Sequence, residues 1–76
     1  MLPDMSAVQE SIGQAIRTAR TEQGHTQEAF ALKAGVDRSY MGAIERGEFN
    51  LTVNTLLKIA AGLGMSVSQL LARAGL

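Results

Sequence analysis

The stretch Thr26–Gly47, TQEAFALKAGVDRSYMGAIERG, leaves the chain little conformational choice. Thr26 is a helix-capping residue, with Gln27 and Glu28 in the turn it opens. Ala29, Phe30, Ala31 and Ala34 then supply the buried side of a short helix that Gly35 ends. Asp37 caps a second helix, which runs to about Arg46 and stops at Gly47. The expectation is two short helices hinged at Ala34-Gly35-Val36. The second has an apolar side, Met41 and Ile44, and an opposite side of Arg38, Ser39, Gly42, Ala43 and Arg46.

The flanking segments read the same way. Ser6, followed three residues later by Gln9, forms a plausible capping box. Val8, Ile12, Ala15, Ile16 and Ala19 recur at helical spacing, so a first helix is expected over Ala7–Glu22 with Gly24 closing it. Gly13 sits inside that helix at a cost of about 1 kcal/mol relative to alanine, which points to close packing there. Thr52 caps a fourth helix carrying Val53, Leu56, Leu57, Ile59, Ala60 and Leu63, and Gly64 ends it. Ser66 caps a fifth, with Val67, Leu70 and Leu71 apolar. No segment alternates with period two. The chain is expected to be an all-α, compact five-helix bundle, with a flexible arm over residues 1–6 and one domain over 7–76.

Seventy-six residues, 46% of them apolar, are near the lower limit for a single core, and there is no cysteine for disulfides or thiolate metal sites. Helix packing must supply most of the stability, helped by a partner subunit. The missing cysteines fit a reducing cytoplasm. The start, MLPDMSAVQE, lacks the basic region of a signal peptide, and no uncharged apolar run is long enough to span a membrane. A cytoplasmic protein without membrane contact is expected.

A rigid helix pair whose second member presents short, polar and cationic side chains suits the major groove of double-stranded DNA. The seven basic and seven acidic residues cancel, which counts against phosphate binding. Placement softens the objection. Glu28 and Asp37 lie in first helical turns, where carboxylates suit the macrodipole, and Arg38 and Arg46 remain on one exposed face.

In order along the chain, Ile12-Gly13, Ala15-Ile16-Arg17, Thr26-Gln27-Glu28, Ala31, Gly35-Val36, Tyr40-Met41, Ile44-Glu45-Arg46-Gly47, Leu56-Leu57-Lys58-Ile59-Ala60, Leu63-Gly64 and Leu70-Leu71 form a recognisable pattern. It resembles the lambda-repressor-like (Cro/C1-type, XRE) family of helix-turn-helix proteins over residues 8 to 72. The resemblance implies five helices with the second and third as the DNA-reading unit. It also implies homodimers on palindromic operators and a repressor or activator role. Asn50-Leu51-Thr52 departs from a frequent family pattern with proline in second place. It matches a pattern of restriction–modification controller proteins, so the resemblance extends to that subclass.

On this docking mode Arg38 and Ser39, in the first turn of the third helix, are expected to meet base edges, as are Gly42 and Ala43 one turn on. Phosphate contacts are expected from Gln27 at the helix N-terminus, Tyr40, Arg46, Asn50, Thr52 and Asn54. The resemblance pairs Arg20, four residues before Gly24, with Glu45 as a structural ion pair that is not a DNA contact. Val67, Leu70, Leu71 and Leu76 are expected to form the dimer interface. His25 reads as a solvated imidazole, and no metal or cofactor site is expected. An enzyme is not expected, since no nucleophile–base set is present and Gly62-Leu63-Gly64 lacks the context of a phosphate loop. No small-molecule substrate is evident. A competing reading of a different class is a protein-interaction module such as an antitoxin.

Overall fold

Four of the five expected helices begin immediately after a residue whose side chain closes the first turn. The computed structural model describes residues 5–48 and 51–76. Among them are α1 (Met5–Glu22), α2 (Gln27–Ala34), α3 (Arg38–Glu45), α4 (Val53–Gly62) and α5 (Val67–Arg73), with no strand. Thr26 Oγ1 accepts from Ala29 N at 3.1 Å, and Asp37 Oδ2 accepts from Ser39 N at 3.0 Å. Thr52 Oγ1 accepts from Thr55 N at 3.1 Å. Ser66 and Gln69 cap reciprocally, a capping box that the sequence reading had not identified. α1 begins at Met5, so Ser6, expected as its cap, lies inside the helix.

The turn between α2 and α3 needs a left-handed residue. Gly35 has φ +74°, where a side chain would be strained, and this lets Val36 N reach Ala31 O at 2.9 Å. Three residues suffice to turn the chain from α2 into α3.

α1 packs on α3 and α5, α2 on α3 and α4, and α4 on α5. Phe30, Ile16, Met41, Ile44, Ile59 and Leu70 fill the centre, each fully buried. Burial of one such side chain is worth about 1.5–3 kcal/mol. Gly62 lets α4 ride over the Phe30 ring, which would lie 3.1 Å from a Cβ placed there. Two polar ties hold the helices at their ends. Gln23 Nε2 donates to Leu63 O at 2.9 Å, and Arg73 Nη2 donates to Glu22 Oε1 at 2.6 Å.

The structure corrects several placements. Ala29, expected inside, is exposed, because α2 turns only Phe30 and Ala31 fully inward. Of the apolar residues expected on the fourth helix, Ile59 and Ala60 are buried, whereas Val53 and Leu57 are 73% and 52% exposed. Leu70, expected at a dimer interface, is wholly buried in its own subunit. His25 is half-buried, its ring tilted against Phe30 at 5.8 Å between centroids.

Candidate nucleic-acid interface

A readout helix is useful only if its support fixes its orientation. For α3 that support is a buried ion pair. Arg20 Nε lies 2.7 Å from Glu45 Oε2 and Nη2 lies 3.0 Å from Oε1, a two-pronged contact between α1 and the end of α3. Arg20 Nη1 donates to the His25 carbonyl at 2.8 Å. Gln27 Nε2 donates to Glu45 Oε1 at 3.1 Å, bringing α2 into the same network. The carboxylate raises the Arg20 pKa further above its ordinary value, chiefly through the hydrogen bond. Three helices thus meet on one carboxylate.

Outward from this tie, Arg38 and Ser39 stand exposed in the first turn of α3, and Arg46 is exposed at its other end. At 1.5 Å per residue, Arg38 and Arg46 are about 12 Å apart along the axis. The floor between them differs from expectation. Gly42 and Ala43 were placed on the outer side as base contacts, yet both are buried, Ala43 with 4% exposure. An eight-residue helix clasped by α1 and α2 buries Met41 to Glu45 consecutively, more of its circumference than an apolar stripe suggests. A Cβ at Gly42 would lie 3.2 Å from Arg46 Nη1 and 3.3 Å from Gln27 Oε1, so this glycine sits beneath those side chains.

Among the expected phosphate contacts, Gln27 is half-buried, with its amide donating to Glu45 at the N-terminus of α2. Tyr40 is half-buried and packs against the core. Thr52 donates its hydroxyl to Thr55 Oγ1 at 3.0 Å while capping α4, which engages its donor within the helix. Asn54 is exposed beside it, and Asn50 lies outside the described residues. Arg46 forms a forked pair with Glu48, Nε to Oε2 at 2.9 Å. The guanidinium holds the Glu48 carboxyl below the usual carboxylate range, and the carboxylate raises Arg46. Arg17 belongs to the family-like pattern but is not among the expected contacts. It lines a polar hollow with Arg46, Gln27 and Gly42, and its position one turn before Arg20 on α1 was the available signal. Among the described residues no group of three or more His, Asp or Glu could hold a metal ion, and no single helix is long and apolar enough to cross a membrane.

A family model described as helix-turn-helix matches residues 16–70, a span that includes α2, the Gly35 turn and α3. The chain belongs to the helix-turn-helix family. Its similarity to individual helix-turn-helix proteins covers nearly the whole described fold. A hypothetical transcription factor of Neisseria meningitidis is 36% identical over 70 residues, 92% of this chain and 66% of that protein. The crystal structure of the restriction–modification controller protein C.AhdI from Aeromonas hydrophila superposes with a TM-score of 0.78 at 39% identity, covering 80% of this chain and 92% of that one. SinR, a master regulator for biofilm formation solved in complex with DNA, superposes at 0.75 with 43% identity, covering 79% and 97%. The chain spans 55% of the length of SinR from Bacillus subtilis. These relatives are named as regulators and controller proteins, and the antitoxin reading finds no support among them.

Proposed function

We propose that this helix-turn-helix chain is a sequence-specific transcription regulator in the cytoplasm. It binds a palindromic operator as a homodimer, with α3 of each protomer in the major groove. The observation that carries this reading is the exposure of Arg38 and Ser39 at the start of a helix oriented from behind by the buried Arg20–Glu45 pair. Arg38 reads guanine O6 and N7, Ser39 adds a base or phosphate contact, and the N-terminus of α2 at Gln27 holds a phosphate. No catalytic step belongs to this role.

Selection of bound duplexes from a random pool, followed by anisotropy at two salt concentrations, tests it. The selected site should bind about 10³-fold or more tightly than random duplex. Arg38→Ala is expected to cost about 1–3 kcal/mol on the selected site and to relax choice at one base pair. Unchanged base preference would remove Arg38 from the reading set.

The dimer contact moves with the buried Leu70. Leu76 remains a candidate, being 58% exposed, as do the half-buried Val67 and Leu71. Val53 and Leu57, one helical turn apart on α4, are better exposed than the half-buried pair and are assigned to the two-fold contact with them. Leu57→Lys should leave the subunit folded and yield monomer by sedimentation. Operator affinity should fall about 10²-fold or more, since two linked half-sites are lost to one. A variant that still sediments as a dimer would return the contact to α5 alone.

A further inference from the structure

The forked geometry of Arg46 on Glu48, with Nη2 to Oε1 at 3.1 Å completing it, is the geometry a guanidinium offers to a phosphate. Both side chains are more than half exposed, 59% and 55%, so the pair adds little to folding and can open at small cost. The remaining nitrogen, Nη1, lies 3.2 Å from where a Cβ at Gly42 would stand, and Gln27 Oε1 lies 3.3 Å from it, so these two side chains cover the glycine. Beside them is a hollow of about 280 Å³ lined by Arg17, Arg20, Gln27, Gly42, Glu45 and Arg46. Within it Glu45 is already engaged by Arg20 and Gln27. Arg17 and Arg46 are the exposed charges around the rim, and both also line the adjoining hollow on the α1 side.

We propose that Arg46, with Arg17 on the rim of the same hollow, takes one phosphodiester of the duplex, and that Glu48 is its internal competitor, released from the Nε and Nη2 edge of Arg46 when DNA binds. The inference rests on the DNA-binding reading above and adds to it a second cation from α1 and a device that sets affinity. The exchange leaves Arg46 doubly hydrogen-bonded throughout, since a phosphate oxygen replaces each carboxylate oxygen. It also gives a chain of zero net charge a local cationic site that is masked in the absence of DNA.

The test uses the full chain and a labelled random-sequence duplex in a salt series, with far-ultraviolet circular dichroism to check folding. Glu48→Gln should tighten binding about two- to fivefold, the range an exposed ion pair allows. It should also steepen the slope of log K against log salt by up to about 0.9. The gain should vanish when Arg46→Gln is already present. Arg17→Gln should make the slope shallower by about 0.9. An equal gain with and without Arg46, or no gain, would show that Glu48 does not act through Arg46. An unaltered slope for Arg17→Gln would remove the α1 cation. Either result overturns the proposal while wild-type binding keeps the DNA reading intact. Failure of the wild type to bind both random duplex and a selected pool removes the two together.

Discussion

Arg20→Met is expected to destabilise the domain by about 3–5 kcal/mol, because it leaves the Glu45 carboxylate, 3% exposed, with no cation. A domain of this length has on the order of 4–11 kcal/mol in total, so most of the folding free energy is at stake. The urea midpoint should fall steeply with little change in slope. The melting temperature should drop by more than about 12 °C. Arg20→Met with Glu45→Met together should recover most of the loss, since a buried pair exchanged for packed apolar side chains is often neutral. Operator affinity should not recover with it. The Gln27 amide then loses the carboxylate that holds it, and α2 and α3 lose their shared anchor. A single variant that loses less than about 1 kcal/mol would show that water reaches Glu45, and that packing alone orients α3.

What the sequence made readable follows from how local each signal is. Thr26, Asp37, Thr52 and Ser66 cap helices within one turn of themselves, and Gly35 acts on its own φ, so neither depends on the rest of the fold. The Arg20–Glu45 tie, 25 residues apart, carries no local signal and came only from the resemblance to known regulators. Burial of Ala43 and exposure of Leu57 were beyond periodicity. Helical spacing says which residues share a stripe, whereas neighbours decide how wide the covered arc is. α3 is enclosed by α1 and α2 across five consecutive residues, while α4 leaves the side bearing Val53 and Leu57 uncovered. The Arg46–Glu48 fork spans a reversal at Gly47, whose φ is +74°, so no helical spacing rule could place it.

Gly13→Ala tests how closely α1 and α3 must approach for this arrangement to hold. Alanine gains about 1 kcal/mol in helix propensity, so on a solvated helix the change would stabilise. Here a Cβ would fall on the Ile44 carbonyl oxygen and lie 2.8 Å from that of Glu45. Backbone atoms cannot swing aside as a flexible side chain does, so the helices must separate, and overpacking outweighs propensity by about 2 kcal/mol or more. The same displacement lengthens the Arg20–Glu45 contact, because Arg20 lies two turns further along α1. Gly13→Ala and Arg20→Met should therefore be non-additive by at least about 0.5 kcal/mol when combined. Gln14→Ala, at the exposed neighbouring position, should be close to neutral and serves as the propensity control. If Gly13→Ala melted at or above the wild-type temperature with operator binding intact, the crossing would have slack to absorb a methyl group. The orientation of α3 would then have to be set elsewhere, by the clasp of α2 and the Gly35 turn.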